Sequence, residues 1–357
     1  MQEGLHFRPY AAADDSDLSR LIREILGRDC DGRILEWKYR RNPAGDPLSV
    51  VAEKHGKVIG QIGAVPVRFS VRGNEHIGSQ EVDGCLDKEQ GKFDTLFHMI
   101  RLRRKINREK GIAFSYFFSV EISSQIAQKL GHIRVCSAPL LLKPLDVEPF
   151  LQKKLPALLA RMMAPPLNAV LRRMPRASAS IPKGTRLRRI ERFDKRFDEF
   201  WDRIKGDYPI MAVRDSAYLN WRYVDVPYRN YTTLSLERET TGDLLGFTVL
   251  LVQERDIRVG HIMDILTARN GGAKTTRVLL CQALKHFHER KVALVCCWML
   301  PHCHVFPELR KLLFFRRAKP GRDLIVQIEK GEGAVMEREF AANPENWYAC
   351  LGDSDFY

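Results

Sequence analysis

One pattern of residues occurs twice in this sequence, and that duplication constrains the fold more than any other feature. In both copies a cation follows an aspartate by five residues and a glycine follows it by eight. These residues are Asp83, Lys88 and Gly91 in the first copy and Asp264, Arg269 and Gly272 in the second. Further matches keep the same order, about 180 residues apart. They pair 35–43 with 219–227, 56–60 with 242–246, 109–114 with 289–294, and 129–130 with 311–312. Ordered matches of this kind indicate an internal duplication and two similar domains.

Both copies predict a similar succession of strands and helices, because apolar runs of strand length alternate with amphipathic runs of helical spacing. In the first half strands are predicted at 6–10, 48–52, 58–69, 77–86, 112–118 and 133–145, with helices after 14–17 and at 95–104 and 123–130. In the second half we predict strands at 187–190 and from Val292, and helices at 193–204 and 276–290. The fold class is therefore α/β (α+β), with two tandem domains that each hold a mixed, mostly antiparallel sheet flanked by helices.

The segment between the copies differs from both in composition. Residues 144–184 are rich in proline and interleave basic with apolar residues. We interpret the segment as two short basic amphipathic helices broken at Pro165 and Pro166. The domains are then 1–145 and 185–357, joined by a connector at 146–184. The connector either packs its leucines and methionines against the domains, which we favour, or contacts an anionic membrane surface.

The chain is basic and has no evident targeting signal. Its 357 residues have a formal net charge of +14, which suits either a polyanionic partner or a soluble basic protein. No apolar run approaches the roughly 18–20 residues that span a bilayer, and no secretory signal opens the chain. Eight cysteines occur without C-x-x-C spacing. We therefore expect reduced thiols and a cytoplasmic location, with peripheral contact to the inner face of the membrane as an alternative.

Cysteines and histidines at 296–297 and 302–304 lie close enough in the sequence to raise the question of a metal site. The apolar run from Val292 to Met299 has the pattern of a strand, which points adjacent cysteines to opposite faces. Cysteine also buries well as a small hydrophobic residue. We therefore predict no metal site.

The order of elements resembles the GNAT acyltransferase superfamily. The Phe-Arg-Pro of 7–9, the acidic pair at 14–15 and the glycine turn after a strand carry the resemblance, and 119–131 looks like the superfamily's following helix. Outside the connector, the chain is similar to bacterial two-repeat GNAT proteins, which are distantly related to the Fem aminoacyltransferases. The resemblance implies two tandem GNAT-like domains.

It also implies an acyl-CoA-dependent N-acyltransferase, in the first place an N-acetyltransferase with acetyl-CoA as co-substrate. In the superfamily, amides of the glycine turn hold the pyrophosphate of acetyl-CoA. The implied cofactor-binding residues are Lys88, Glu89, Gln90, Gly91, Lys92 and Phe93 in the first copy and Arg269, Gly271 and Gly272 in the second. The implied acceptor is an amine of a sugar, an amino acid, or a precursor of cell-surface polysaccharide or cell wall.

Both glycine turns depart from the superfamily signature [Q/R]-x-x-G-x-[G/A]. The first has Lys88 at its start and Phe93 at its end, and the second ends in Lys274. A side chain at the last position would crowd a pyrophosphate, because small residues permit the closest backbone approach. We favour the first copy as the CoA site, since its turn leads into a cationic helix. That helix carries Arg101, Arg103, Arg104 and Lys105.

Acyl transfer to an amine needs a general base, and carboxylates on the strand before the turn are candidates. Side chains alternate along a strand, so Glu81 and Asp83 lie on one face. Asp83 has a counterpart in Asp264, which favours a structural role for that pair. Glu81 is replaced by Ile262 in the second copy. Glu81 is therefore our preferred catalytic residue and Asp83 the second candidate.

Other conspicuous residues have simpler interpretations. Trp37 and Trp221 head repeated elements and are interpreted as core anchors. Asp353 and Asp355 would line the cleft only if the C-terminal tail folded back onto it.

Two rival functions use the same fold. A Fem-like transferase would take its aminoacyl group from aminoacyl-tRNA, whose binding the positive charge would serve. Apart from that tRNA, we expect no nucleic-acid partner. A catalytically degenerate double domain would instead act as a membrane-surface or assembly partner.

Overall fold

A computed structural model describes residues 4–87, 89, 91, 93–173, 180–318, 321–329 and 335–355. The first half forms, in order, β1 (Leu5–Pro9), α1 (Asp15–Leu26), α2 (Gly32–Leu35), β2 (Val50–Lys54), β3 (Lys57–Val71), β4 (Asn74–Leu86), α3 (Phe93–Glu109), β5 (Phe114–Ser119), α4 (Glu121–Lys129), β6 (Ile133–Ala138) and β7 (Leu140–Pro144). The connector forms α5 (Glu148–Gln152) and α6 (Ala157–Arg173).

The second half forms, in order, β8 (Thr185–Ile190), α7 (Lys195–Ile204), β9 (Ile210–Ala212), α8 (Ser216–Tyr223), β10 (Tyr231–Arg238), β11 (Leu244–Glu254), β12 (Arg258–Thr267), α9 (Ala273–Glu289), β13 (Leu294–Trp298), α10 (Phe306–Lys311), β14 (Phe315–Arg316), β15 (Arg322–Ile328), α11 (Arg338–Ala342) and β16 (Trp347–Tyr348).

These strands build two mixed sheets. The first runs β1-β2-β3-β4-β5-β15-β6, with β9 paired to β3 and β16 paired to β9, and the second runs β14-β7-β13-β12-β11-β10-β8. Most neighbours are antiparallel, while β4–β5, β12–β13 and β9–β16 are parallel. The predicted fold class, two mostly antiparallel mixed sheets flanked by helices, is confirmed.

Each sheet contains strands from the other half of the sequence: β9, β15 and β16 in the first sheet and β7 in the second. β15 pairs with β5 and β6 in the first sheet, and β7 pairs with β13 and β14 in the second. One buried apolar cluster accordingly joins side chains of both sheets, among them Phe114 and Val249. Sheet membership thus crosses the predicted boundaries at 145 and 185 in both directions, and those boundaries stay a prediction.

The duplicated Trp-containing segments meet at the junction of the halves. The Trp37 and Trp221 rings stack with centroids 5.1 Å apart and planes 19° apart. Each indole N–H donates to the other residue's backbone carbonyl, at 2.7 Å from Trp37 and 2.9 Å from Trp221. A buried indole N–H needs an acceptor, and here each copy supplies it to the other. Both tryptophans are buried, which confirms that they are core anchors.

The predicted break in the connector at Pro165 and Pro166 is wrong, because α6 continues through both prolines. A proline inside a helix removes one backbone hydrogen bond and presses on the preceding turn. Tertiary contacts hold this helix on both sides of the pair. Ala160 and Ala164 are buried, and the Asn168 side chain accepts from the Val147 N–H at 2.9 Å. Packing therefore offsets the local cost of the prolines.

Candidate functional site

The two central strands of the first sheet separate to form a wedge-shaped cavity, the first wedge. β4 and β5 pair in parallel only where Gly78–Gln80 faces Phe114–Tyr116. Further along, β4 has a β-bulge at Asp83 and Gly84, and Asp83 adopts a left-handed φ of 43°. A bulge bends its strand and ends regular pairing. The strands consequently enclose a cavity of about 570 Å³ with α3 and α4.

The first wedge is mostly apolar, with a smaller set of polar groups in its lining. Its apolar lining includes Ile62, Leu96, Ile100, Phe117, Val120, Ile126 and Leu130. Its polar lining includes Gln80, Glu81, Asp83, Arg103, Ser119, Ser123, His132 and Asp355. An apolar cavity of this size with a few convergent polar groups is typical of a small-molecule site. The two predicted catalytic residues, Glu81 and Asp83, thus lie in one cavity.

Glu81 is held by a buried arginine. Its Oε1 lies 2.6 Å from an Nη atom of Arg103, and the other terminal nitrogen of Arg103 donates to the Ser115 hydroxyl at 3.0 Å. Arg103 is almost fully buried, whereas Glu81 is partly exposed to the cavity. This ion pair holds the Glu81 carboxylate beside the guanidinium of Arg103.

Asp83 belongs to a buried cluster with two cations. Its carboxylate accepts from Lys38 Nζ at 2.7 Å and from Arg28 at 3.4 Å. The tail folds back, so that Asp355 contacts the same cations at 3.0 and 3.1 Å. Burial raises the pKa of Asp83, and the Asp355 carboxylate adds to that rise. Burial opposes ionisation of Asp355 as well, but Lys38 and Arg28 hold its pKa below the ordinary value.

His132 is a candidate that sequence reasoning missed. Its Nδ1 lies 3.0 Å from the Ala127 carbonyl oxygen. Because a carbonyl only accepts, Nδ1 carries the proton and Nε2 keeps a free lone pair when the ring is neutral. Burial lowers the pKa of His132 below its usual 6.5, so the ring is neutral at neutral pH. The cavity therefore contains an imidazole able to accept a proton.

Two serines line the cavity on the β5 and α4 side. Ser119 is buried, and its hydroxyl has no hydrogen-bond partner among the residues that the structure describes. Ser123 is exposed near the start of α4. A buried hydroxyl without a partner is costly, which suggests that a ligand or water completes the bonding of Ser119.

The first glycine turn joins β4 to α3. The Gly91 N–H donates to the Asp87 carbonyl at 2.8 Å, and a Cβ added to Gly91 would lie 2.4 Å from the Leu86 side chain. A larger residue at this position would therefore require the Leu86 side chain to move. Glu89 is exposed. Of the predicted phosphate-binding stretch, three residues and one side chain lie outside the described residues. These are Lys88, Gln90, Lys92 and the side chain of Phe93.

Beyond the turn, α3 presents cations to solvent. Arg101, Arg104 and Arg108 line a shallow groove along one side of the helix, beside the cavity-lining Ile100. Like charges that line one groove repel each other unless an anion is present. Burial, together with the nearby charge of Arg103, lowers the pKa of Arg104. The predicted cationic helix thus has one side that suits an anionic ligand.

The second sheet has an equivalent wedge, the second wedge, but the chain fills it. β12 and β13 pair in parallel only where Val259–His261 faces Leu294–Cys296. The C-terminal tail then occupies the space between them. Cys350 forms an isolated antiparallel β-bridge with Met299 through the backbone. The Tyr348 hydroxyl donates a hydrogen bond to the Ile265 carbonyl oxygen. A Cβ added to Gly352 would lie 2.0 Å from the hydroxyl of Tyr223. The second wedge therefore has no room for a ligand at that point.

Asp264 is bonded within this filled wedge. Its carboxylate accepts from Arg214 at 3.3 Å and from the Tyr223 hydroxyl at 3.1 Å. Arg214 also binds the Asp353 carboxylate at 2.7 Å. Burial raises the pKa of Asp264. The tail is thus attached to β12 through a buried arginine that bridges two carboxylates.

The second glycine turn keeps its shape but is bonded internally. A Cβ on Gly272 would lie 1.9 Å from the Ala268 carbonyl oxygen, and Gly271 has a φ of 76°, so both positions require glycine. The Arg269 N–H donates to the Asp207 carboxylate at 2.6 Å. A backbone donor at the predicted pyrophosphate position therefore already has an anion from the chain itself.

Among the described residues, no group of three or more histidine, cysteine, aspartate or glutamate side chains could hold a metal ion. Cys296 and Cys297 are buried in β13. His304 lies between Tyr208 and Thr267, 2.8 Å from each hydroxyl.

Comparisons with known proteins identify the fold. No protein-family model matches the sequence, and no curated protein matches it. The chain is similar in structure to Saccharomyces cerevisiae N-myristoyltransferase with bound myristoyl-CoA, at 12% identity and a TM-score of 0.61 over 91% of this chain and 83% of that one. It is also similar to a GCN5-related N-acetyltransferase from Anabaena variabilis, at 12% identity and a TM-score of 0.64 over 91% and 73%.

A third similar structure is a probable N-acyltransferase of unknown function from Enterococcus faecalis, at 8% identity and a TM-score of 0.62 over 91% of this chain and 72% of that one. The predicted resemblance to the GNAT acyltransferases is thus confirmed at the level of the fold. The relation to the Fem aminoacyltransferases stays a prediction.

Proposed function

We propose that this chain is an acyl-CoA-dependent N-acyltransferase whose single donor site is the first wedge. The observation that carries the proposal is the contrast between two wedges of the same construction. The first encloses about 570 Å³, whereas the chain's own tail fills the second. The solved structures with this fold include one with bound myristoyl-CoA, which supports an acyl-CoA as the donor.

The donor would bind along β4 and α3. The glycine turn at Gly91 precedes the N-terminus of α3, where backbone N–H groups and the helix dipole favour a pyrophosphate. The arginine groove on α3 offers a place for a further phosphate. The thioester arm would then enter the first wedge, against Leu96 and Ile100. At the bulge of Asp83 and Gly84 the regular pairing of β4 is interrupted, so a backbone N–H there could donate a hydrogen bond to the thioester carbonyl oxygen.

The chemistry needs a base for the attacking amine and a proton for the departing thiolate. Glu81 and His132 both line the wedge and either could take the proton. Arg103 keeps Glu81 in place, and burial keeps His132 neutral. After the amine attacks and the tetrahedral intermediate collapses, the sulfur must be protonated. The hydroxyls of Ser119 and Ser123 line the same cavity and would relay that proton from solvent or from the base.

Asp83 has a different role in this proposal. Its bonds to Lys38 and Arg28, and its counterpart Asp264 in the filled wedge, support a structural part in shaping the bulge. Arg269, Gly271 and Gly272 would likewise maintain the second turn without binding CoA. The reason is that the Asp207 carboxylate already accepts a hydrogen bond from the Arg269 N–H of that turn.

The acceptor is proposed to be an amine of a sugar, an amino acid, or a cell-surface polysaccharide or cell-wall precursor, as the resemblance implies. The apolar lining of the first wedge suggests that the acyl chain extends beyond acetyl. Each methylene buried there contributes up to about 0.8 kcal/mol to binding. Affinity should therefore rise from acetyl-CoA to longer acyl-CoAs until the cavity is full.

Isothermal titration of the full chain with a series of acyl-CoAs tests the proposal. We expect saturable binding with one molecule per chain. Ser123→Trp would fill the cavity and should weaken binding at least about ten-fold. Ile122→Trp is the matched control, because Ile122 neighbours Ser123 on α4 but does not line the cavity.

Absence of binding at millimolar acyl-CoA, by protein that melts cooperatively, would refute the proposal. Two molecules per chain would refute the assignment of a single site. Steeply salt-dependent tRNA binding without acyl-CoA binding would favour the aminoacyl-tRNA alternative instead.

A further inference from the structure

The connector helix α6 turns an apolar face away from the rest of the molecule. Leu158 is 72% exposed and Met162, one turn later, is 67% exposed. The neighbouring row is also exposed and consists of Leu159, Met163 and Pro166. In a surface helix of a globular protein the large apolar residues normally face the core. Among the side chains of α6 that the structure describes, the buried apolar ones are the small Ala160 and Ala164, so the usual arrangement is reversed there.

This apolar face lies within a long stretch without acidic residues. No aspartate or glutamate occurs between Glu148 and Glu191, whereas the stretch contains ten lysines and arginines. Lys153 and Lys154 precede the helix and Arg161 lies on it, and all three are exposed. Lys153 lies 3.2 Å from Asp256 and Arg161 lies 3.8 Å from Glu148, but both cations stay more than half exposed. An exposed apolar face flanked by exposed cations matches the physical requirements of an anionic bilayer surface.

We infer that α6 docks this protein on an anionic lipid bilayer. The helix would lie in the plane of the interface, with Leu158, Leu159, Met162 and Met163 among the acyl chains. Lys153, Lys154 and Arg161 would contact the anionic headgroups. This inference goes beyond the proposed transferase activity and does not depend on it.

The charge distribution favours a bilayer over other occupants of the same face. A second copy of the chain would bring two acid-free basic segments together, and like charges repel. A nucleic acid would satisfy the cations but would leave the leucines and methionines in water. A bilayer with anionic lipids satisfies both kinds of residue. None of the helices in the described part of the chain is long and apolar enough to cross a membrane, so docking would be on the surface.

Sedimentation of the full chain with lipid vesicles tests the inference. We expect binding to phosphatidylcholine vesicles with about 30% phosphatidylserine to be at least about ten-fold tighter than to phosphatidylcholine alone, and to weaken as salt is added. The double substitution Leu158→Asn and Met162→Asn should weaken binding by about ten-fold or more.

The matched control is Ile122→Asn on α4, because Ile122 is 73% exposed and is also helical. For charge, Lys153→Gln with Lys154→Gln is compared with Arg33→Gln and Lys195→Gln, which remove two exposed cations elsewhere. Only the connector variants should lose affinity. Thermal unfolding of every variant should match the parent, since all these side chains are exposed.

Three results would overturn the inference. The first is equal binding to neutral and anionic vesicles. The second is an equal loss of binding in the control variants. The third is a concentration-dependent dimer that the α6 substitutions abolish while vesicles bind neither the parent nor the variants, since the face would then be covered by a second copy.

Discussion

The first and second wedges begin with the same strand pairing and end differently. In both, two parallel strands pair over three residues and then diverge. In both, a tyrosine bonds the aspartate at the bend, Tyr39 with Asp83 and Tyr223 with Asp264. Yet the first stays open and the second holds the tail. The comparison teaches that a duplicated fold can keep its architecture in both copies while only one retains space for a ligand.

One residue accounts for much of this difference. Arg214 precedes the helix-capping Asp215, and the matching position before Asp31 is Cys30. The buried guanidinium of Arg214 binds both Asp264 and Asp353 and so attaches the tail to β12. Cys30 has no charge with which to do this. In the first wedge the cations come instead from Lys38 and Arg28, and Asp355 of the tail contacts both.

The largest effect is expected from removing the arginine of the second wedge. Arg214→Met leaves two buried carboxylates without their cation, and breaking a buried ion pair in this way costs about 3–5 kcal/mol. Lys38→Met should cost less, because the partly exposed Arg28 still contacts Asp83 and Asp355. Urea unfolding of both variants at neutral pH measures the difference. Equal losses would contradict the view that the second wedge is a structural core and the first an open site.

An intermediate effect is expected from adding a methyl group to each wedge. Gly352→Ala would place its Cβ 2.0 Å from the Tyr223 hydroxyl, whereas a Cβ at Gly84 meets nothing within 4 Å. Overpacking typically costs about 1–3 kcal/mol. Gly352→Ala should therefore lower the free energy of unfolding by that amount, and Gly84→Ala should leave it almost unchanged. A comparable loss in both would show that the first wedge is not open at β4.

The smallest effect concerns one titration. His132 lines the first wedge, and Phe314 holds the corresponding position after the repeated Lys-Leu pair in the second half. Burial lowers the pKa of His132, so the neutral, proton-accepting form persists below pH 6.5. An NMR titration should place this pKa below 6.5, with the signal assigned by its loss in His132→Phe.

If His132 is the base, acyl transfer falls as the pH drops through that pKa, because protonation removes the lone pair. The acid limb of the rate profile would then lie below pH 6.5 and disappear in His132→Phe. An acid limb that persists unchanged in His132→Phe and is lost in Glu81→Gln would assign the base to Glu81 instead.

The sequence predicted the features that repetition makes visible. The duplication indicated two similar sheets, and the matched tryptophans were correctly interpreted as core anchors. Lys38 could also have been found, since it stands between the repeated Trp and Tyr and matches Arg222. His132 could not, because a residue after a helix-ending glycine has no distinguishing pattern.

Long-range pairing was beyond prediction. The strands at Leu140–Pro144 and Arg322–Ile328 are apolar enough for either sheet, and backbone hydrogen bonds do not depend on side-chain identity. The filling of the second wedge was hidden for a similar reason, because a tail has no local sign of where it packs. In the connector helix, by contrast, a local sequence signal was present but misleading. Two prolines locally favour a break, and the contacts of Asn168 and the buried alanines override them.

The exchange of β7 and β15 has a consequence for the order in which this molecule can be assembled during synthesis. A ribosome that has released residues 1–145 has made the first wedge's β4, α3, β5 and α4, but not the strand that belongs between β5 and β6. That strand, Arg322–Ile328, and the contact of Asp355 come from the other half of the sequence. The N-terminal half is thus translated before the strand that completes its sheet, and a chain cut before residue 322 would lack the finished cavity.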